Sequence, residues 1–177
     1  TIDVNLRGVA SGIQAVYPRM VEQRFGHMVN TASIAGLVPF PLFTAYSATK
    51  HAVVALSTTL RVEARRFGVQ VSALCPGAIR TPLLTGGAFG RPLGDVSDAR
   101  MLEWWQRVFP IEVDVLACKA LDAVARNRAI IVIPRWIKIL WWFWRINPDL
   151  GRFLLQADFD QSLKKFPEFT KPPSKGR

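Results

Sequence analysis

The spacing of apolar residues predicts two long helices, each followed by a short buried strand. Apolar positions recur every three or four residues over 3–25, and "GHMVNTAS" at 26–33 is an apolar run opened by glycine. The same order then repeats. Residues 45–67 have helical spacing, Gly68 is a suitable helix end, and "VQVSALC" at 69–75 predicts a second buried strand. This alternation indicates an α/β protein with a parallel sheet flanked by helices.

The second half of the chain predicts a long loop, three helices and one more strand. The loop is expected at 77–96, two helices near 97–107 and 112–127, and a β-branched strand at 129–134. The aromatic segment "RWIKILWWFWRI" at 135–146 predicts a third helix, because Asn147-Pro148 directly after it favours a helix end.

Composition and charge narrow the class of protein and of partner. The chain has 177 residues, half of them hydrophobic, which indicates one globular domain. The net charge of +10 suits phosphate-bearing ligands, nucleic acid or an anionic membrane surface. We expect no nucleic-acid partner, since no recognition motif is present. Cys75 and Cys118 do not make a disulfide framework, and no Cys/His cluster has metal-ligand spacing, so no metal site is predicted.

Tyr46 and Lys50 are the first candidates for chemistry. They lie four residues apart in a predicted helix, so their side chains share one face. An ammonium beside a phenol favours the phenolate and lowers the pKa of the tyrosine, which suits proton exchange near neutral pH. The alternative is two amphipathic residues on a core helix. Ser33, thirteen residues before Tyr46, follows a predicted strand, where α/β sheets hold their ligands, and this favours a catalytic group.

Four motifs together resemble the short-chain dehydrogenase/reductase family. Ser33, "YSATK" at 46–50 and "PGAIRTP" at 76–82 match its catalytic and cofactor segments, and "DVNLRG" matches the helix that carries a catalytic Asn, here Asn5. The resemblance is close over about residues 1–82 and loose over 83–134. It implies an α/β fold that is the C-terminal part of a Rossmann-like doubly wound parallel sheet with helices on both faces.

The resemblance also implies catalytic roles for four residues. Tyr46 exchanges a proton with the substrate oxygen, while Lys50 lowers the pKa of Tyr46 and binds the nicotinamide ribose. Ser33 donates a hydrogen bond to the substrate oxygen, and Asn5 holds a water that links Lys50 to solvent. Each has an ordinary alternative: Ser33 alone is also a suitable loop cap, and Asn5 a suitable solvated helix residue.

The implied cofactor is NADP or NAD, and further residues are expected to contact it. Besides Tyr46 and Lys50, these are Pro76, Gly77, Ile79 and Thr81. Thr81 before Pro82 is also a suitable turn start. The glycine-rich turn that binds the cofactor pyrophosphate in this family has no counterpart here, because "TGGAFGRPLG" at 85–94 follows no predicted strand. We therefore expect the chain to be the C-terminal part of a longer protein, and to be poorly soluble and inactive by itself.

We predict three regions along the chain. Residues 1–134 form a partial Rossmann-like catalytic domain with a substrate lid at about 77–110. Residues 135–163 form an aromatic and basic helical extension, and 164–177 form a disordered basic tail, because that segment is rich in Pro and Lys.

The aromatic helix has two interpretations. On a helical wheel, Arg135, Lys138 and Arg145 fall within about 80° of one another. The apolar residues on the opposite side are Trp136, Ile137, Leu140, Phe143 and Trp144. The helix is too short to span a bilayer, but basic residues with Trp suit a membrane interface. The alternative is that these aromatic residues cover a substrate pocket or an oligomer contact.

The sequence thus favours an NAD(P)-dependent oxidoreductase that interconverts a secondary alcohol and a ketone or aldehyde. The paired Trp104 and Trp105 favour a lipophilic substrate. We expect a cytoplasmic protein, peripheral at a membrane through 135–146 and homo-oligomeric when full length. The alternative is a catalytically silent fragment, or a membrane-surface binding protein built on a truncated version of the fold.

Overall fold

A computed structural model describes residues 1–85 and 96–170 of the chain. Over these residues, three parallel strands form one sheet in the order β1-β2-β3. The strands are β1 (Gly26–Thr31), β2 (Val69–Pro76) and β3 (Ile130–Ile133). The predicted α/β class with a parallel sheet flanked by helices is confirmed.

The helices occur where the apolar spacing places them. They are α1 (Gly8–Glu22), α2 (Thr44–Ala64), α3 (Asp98–Gln106), α4 (Val113–Ala125), α5 (Ile137–Ile146) and α6 (Pro148–Lys165). A π-helical segment, Asp3–Arg7, leads directly into α1. Helix α5 ends before Asn147-Pro148, as predicted. None of the described helices is long and apolar enough to cross a lipid bilayer.

The chain divides into two compact units that differ from the predicted domains. The first unit is Thr1–Gly77 with Asp114–Ile137, and the second is Ala78–Val113 with Lys138–Arg177. The division therefore falls within the predicted catalytic domain of 1–134 and not at its end. The predicted lid region contributes to the second unit, and the glycine-rich part of it, 86–95, lies outside the described residues.

The core of the first unit forms where α1 and α2 pack on the sheet. Met28, Ala64, Val69 and Val71 are buried together, and Tyr17 and Leu60 are among the residues that pack against them. Strand β2 is the central strand, and its side chains at Val71, Ala73 and Cys75 are fully buried. Because β2 is buried along most of its length, its sequence has the continuous apolar pattern of a parallel strand.

Gly68 ends the α2 region for a steric reason. Its φ of +74° is left-handed, and a Cβ added there would lie 2.4 Å from the carbonyl oxygen of Arg24. Only glycine meets both conditions, since other residues strain at positive φ and would collide with Arg24. The predicted helix end at Gly68 is therefore where the chain turns into β2.

The segment 164–170 is ordered, so the prediction of a disordered tail from 164 onwards was wrong for these residues. Phe166 and Phe169 are buried. Arg100 of α3 donates hydrogen bonds to Glu168 at 2.7 Å and to the carbonyl oxygen of Lys165 at 2.9 Å. The polar composition of the tail predicted disorder, but two aromatic residues bury enough surface to hold it. Residues 171–177 lie outside the described part.

Phe166→Ala tests this packing. The substitution should lower the free energy of unfolding by about 3–5 kcal/mol, because it leaves a cavity at a fully buried side chain. Phe153→Ala on α6 is the matched control: Phe153 is 67% exposed, so its loss should change stability little. Urea unfolding followed by circular dichroism measures both. Equal small effects for the two variants would contradict the packed position of Phe166.

Candidate active site

Ser33 lies just after the carboxyl end of β1. Its side chain is buried, and its hydroxyl accepts a hydrogen bond from the backbone N–H of Ala35 at 3.2 Å. This bond caps a short 3₁₀ turn, Ile34–Gly36. The capping role that was the ordinary alternative for Ser33 is therefore present, together with its position at a strand end. A serine hydroxyl that accepts one bond still has its own hydrogen to donate.

Gly36 brings this turn against the main chain of α2. A Cβ added at Gly36 would lie 2.4 Å from the carbonyl oxygen of Lys50 and 2.7 Å from its carbonyl carbon. Contacts this short do not occur for real side chains, so the approach requires glycine. The turn that begins at Ser33 is thereby fixed against the helical turn that carries Lys50. Gly36 was not among the residues predicted from the sequence, although the small pair Ala35-Gly36 two residues after Ser33 was a usable signal.

Tyr46 and Lys50 lie together on α2. The Lys50 ammonium nitrogen is 5.5 Å from the centroid of the Tyr46 ring. Lys50 is buried, and it donates a hydrogen bond to the carbonyl oxygen of Thr31 at 3.0 Å. The ring of Phe43 meets that of Tyr46 edge-on, with centroids 6.5 Å apart. The phenol and the ammonium are thus held next to the end of β1.

The expected decrease in the pKa of Tyr46 is not found. Burial raises the pKa of Tyr46, and a side-chain hydrogen bond with Ser33 opposes that increase only in part. Burial also lowers the pKa of Lys50. Each shift favours the neutral form, because moving a charge out of water costs more than the local partners return. The net pKa of Tyr46 is thus raised and not lowered, because burial dominates. The proximity of Lys50 to the phenol is observed, and that Lys50 lowers the pKa of Tyr46 stays a prediction.

Cys75 completes the buried surroundings of this group. It is fully buried in β2, and burial raises the pKa of its thiol to about 12. Interactions with Ser33 and Lys50 oppose this increase, which shows that the thiol lies near both. A thiol with this pKa stays protonated and is a poor nucleophile, so Cys75 contributes packing to the site.

Asn5 lies in the π-helical segment Asp3–Arg7. Its backbone N–H donates to the carbonyl oxygen of Thr1 at 2.9 Å, and its side chain is half-buried. Helix α2 packs against this segment, which places Asn5 beside the helix of Tyr46 and Lys50. Within the described residues, Asn5 forms no side-chain hydrogen bond to either of them. A π-helical turn is uncommon and often occurs at functional sites.

The segment after β2 carries the four residues expected to contact a cofactor. Pro76 ends β2, and the N–H of Gly77 donates to the carbonyl oxygen of Ile133 at 2.8 Å. In the second unit, Ile79 pairs with Ile111, and Thr81 accepts from the N–H of Leu84 at 3.1 Å through its carbonyl oxygen. Thr81 thus starts the turn Pro82–Thr85, which was its ordinary alternative.

Comparison with known proteins gives consistent matches. The sequence model of the family described as "short chain dehydrogenase" matches residues 1–87. An uncharacterized oxidoreductase of Staphylococcus saprophyticus is 40% identical over 128 residues, which are 71% of this chain and 46% of that protein. One of Staphylococcus epidermidis is 39% identical over 89 residues, 50% of this chain and 39% of that protein. The chain thus spans less than half the length of these curated relatives.

A solved structure matches over most of the chain. It is a short chain dehydrogenase/reductase from Burkholderia phymatum in complex with NAD, with a TM-score of 0.68 and 29% identity. The match covers 83% of this chain and 57% of that chain. This likeness confirms the Rossmann-like fold class that the motifs implied.

Gly36→Ala tests the close approach of the Ser33 turn to α2. The added methyl group should lower the free energy of unfolding by about 1–3 kcal/mol, because main-chain atoms must move to admit it. Gly12→Ala is the matched control, since a Cβ at Gly12 meets no atom within 4 Å. That variant should be up to about 1 kcal/mol more stable. A Gly36→Ala chain as stable as the Gly12→Ala chain would contradict this packing.

The direction of the Tyr46 shift is measurable because the chain has 2 Tyr residues, Tyr17 and Tyr46. In Tyr17→Phe, ultraviolet absorbance at alkaline pH reports Tyr46 alone. We expect its pKa to lie above the usual value of about 10 and to rise further in Tyr17→Phe/Ser33→Ala, which lacks the hydrogen bond. Circular dichroism at each pH verifies that the chain stays folded. A pKa of Tyr46 below the usual value would contradict this result and support the lowered pKa that the sequence predicts.

Proposed function

Because the chain belongs to the short-chain dehydrogenase family through residues 1–87, we propose that it is the catalytic part of an oxidoreductase acting on a secondary alcohol or the corresponding ketone or aldehyde. One observation carries the proposal. The Ser33 hydroxyl, the Tyr46 phenol and the Lys50 ammonium converge beside the carboxyl end of β1. Parallel α/β sheets bind their ligands at this edge.

The residues present fit a nicotinamide dinucleotide, NAD or NADP. An ammonium has three N–H donors, and within the described structure Lys50 uses one of them, on Thr31. The remaining donors suit ribose hydroxyls. Pro76 and Gly77 lie at the carboxyl end of β2, and we assign further cofactor contacts to them and to Ile79 and Thr81. When bound, the cofactor supplies the carbon that gives or takes a hydride. The Burkholderia phymatum relative was solved with NAD, which supports this choice.

We assign proton transfer to Tyr46. Its raised pKa keeps the phenol protonated at neutral pH, so the hydroxyl is ready to donate its proton to a carbonyl oxygen during reduction. The phenolate that remains lies near the Lys50 ammonium, and their attraction stabilises the charge as it forms. In the oxidative direction the same phenolate accepts the proton of the alcohol.

Ser33 and Asn5 receive supporting roles. The Ser33 hydroxyl donates a hydrogen bond to the substrate oxygen, where negative charge develops in the transition state. Its existing interaction with Tyr46 supports this role, since one oxygen of the substrate then meets both donors. Asn5, beside α2, holds a water that links Lys50 to solvent and so restores the proton of the site after each turnover.

A lipophilic substrate agrees with the apolar surroundings in the second unit. Trp104 and Trp105 of α3 pack edge-on, with ring centroids 4.7 Å apart. A shallow pocket nearby is lined in part by Leu84, Leu102 and Trp105. Arg80, Thr81 and Gln106 line the rest of it together with two prolines, so the pocket offers apolar walls to a hydrocarbon part and polar groups to orient it.

Partners of the protein are proposed on similar grounds. An open groove between α1 and α2 is lined by apolar residues such as Ile13, Leu56 and Leu60, and we assign it to a homo-oligomer contact.

The basic and aromatic segment 135–146 supports peripheral contact with a membrane. The same segment favours the second candidate function, a catalytically silent membrane-surface binding protein. Loss of turnover in every assay below, with membrane binding retained, would favour that second candidate.

Tyr46→Phe tests the oxidoreductase proposal in the product of the complete reading frame. Reduction of a panel of lipophilic ketones and aldehydes is followed with NADH and with NADPH. The substitution should lower kcat by about 10²–10⁴-fold, because it removes the proton donor, while cofactor affinity measured by fluorescence stays nearly constant. Tyr17→Phe, in the core of the first unit, is the matched control and should keep its turnover. Undiminished kcat in Tyr46→Phe would refute the assigned mechanism.

A further inference from the structure

Helix α5 exposes a continuous apolar stripe. Ile139, Trp142, Phe143 and Ile146 follow the spacing i, i+3, i+4, i+7 and therefore share one face of the helix. Ile139 is 74%, Trp142 61% and Ile146 76% exposed. Large apolar side chains grouped in this way on a surface mark an interaction site more often than isolated ones do.

The exposed stripe overlaps only in part with the apolar side expected from the helical wheel: Phe143 belongs to both, and Trp136 and Leu140 of the expected side are exposed as well. Ile137 of that expected side is buried, and Trp144 packs against α6, where a Cβ at Gly151 would lie 2.7 Å from its ring. The wheel separated polar from apolar residues but did not show which apolar residues pack internally. In the structure, Ile137 and Trp144 are used for packing, and Ile139, Trp142 and Ile146 remain for a partner.

Helix α6 carries a second exposed stripe. Leu150, Phe153 and Leu154 have the spacing i, i+3, i+4, and all three are exposed. The two helices are joined at Asn147, whose side chain accepts from the N–H of Leu150 at 3.0 Å. Gly151, in the first turn of α6, packs against Trp144 near the end of α5. Both stripes therefore lie on two consecutive helices, which we call the α5–α6 pair (residues 137–165).

Positive charge borders the stripe on α5. Residues 135–146 contain three cations and no Asp or Glu. Lys138 and Arg145 lie about 100–120° from Ile139 around the helix axis, on the side of Trp142. Neither forms an ion pair within the described residues, and the Arg145 guanidinium is 5.4 Å from the ring centroid of Trp141. The face thus combines apolar side chains, Trp and charges of one sign.

We infer that the α5–α6 pair lies in the surface of an anionic lipid bilayer, with Ile139, Trp142 and Ile146 inserted and Lys138 and Arg145 on the headgroups. Trp favours the boundary between headgroups and hydrocarbon, and the cations match anionic lipid. A second copy of the same face is a poorer partner, because it would bring like charges together. The inference builds on the membrane contact proposed above for 135–146 but does not depend on turnover.

Vesicle flotation of the full chain tests the inference. The chain should float with vesicles of phosphatidylcholine and phosphatidylserine, and less with phosphatidylcholine alone, because the charges add attraction to the apolar insertion. Higher salt should weaken the binding to the anionic vesicles. Turnover is assayed in the product of the complete reading frame, as for Tyr46→Phe, so failure of membrane binding and failure of the oxidoreductase proposal are read out separately.

Variants identify the face. Ile139→Ser/Trp142→Ser should lower the partition coefficient on anionic vesicles by at least about tenfold. Lys138→Gln and Arg145→Gln should each lower it by about fivefold, and only on the anionic vesicles. Val62→Ser is the matched control, because Val62 is an equally exposed apolar residue on α2. It should float like the unmodified chain.

Three outcomes would overturn the inference. One is absence of flotation with either vesicle. Another is flotation that the Ile139→Ser/Trp142→Ser variant leaves unchanged. The third combines two results: the unmodified chain binds no lipid, and analytical sedimentation without vesicles shows it as a dimer but the Ile139→Ser/Trp142→Ser variant as a monomer. The stripe would then be an interface between two copies.

Discussion

The main chain of Gly36 and that of Lys50 approach so closely that no side chain fits between them. This contact ties the turn after β1 to α2 at Lys50, and the geometry of the candidate site depends on it. Ser33 begins that turn, and Tyr46 and Lys50 occupy successive turns of the helix. A parallel sheet alone brings a strand end and a helix into the same region, but this contact sets the distance between their functional groups.

Burial governs the electrostatics of the group as a whole. Tyr46, Lys50 and Cys75 all shift towards their neutral forms, because each has exchanged water for protein atoms. The Ser33 hydrogen bond and the mutual attraction of the groups act in the opposite sense and are smaller. Burial therefore keeps the Tyr46 phenol and the Cys75 thiol protonated at neutral pH, while it makes the proton of Lys50 easier to lose.

The periodic part of this fold was predictable from sequence, and so was the proximity of Ser33, Tyr46 and Lys50. Apolar spacing located β1, β2 and α2, and the separation of Ser33, Tyr46 and Lys50 indicated a common site. The predictions that differ from the structure depended on tertiary burial, which the spacing of apolar residues does not report. Three features depend on which atoms lie nearby in space. They are the direction in which the pKa of Tyr46 shifts, the ordered packing around Phe166, and the exposure of Ile139 in place of Ile137.

The two cysteines differ in a way that gives the folded chain an internal marker of its integrity. Cys75 is buried near Ser33 and Lys50 of the candidate site, with its pKa raised to about 12, whereas Cys118 on α4 is exposed. A thiol reagent applied to the native chain therefore modifies Cys118 and leaves Cys75 intact. Modification of Cys75 records that β2 has separated from its neighbours, so the ratio of the two labelled thiols reports how often the sheet opens around the candidate site.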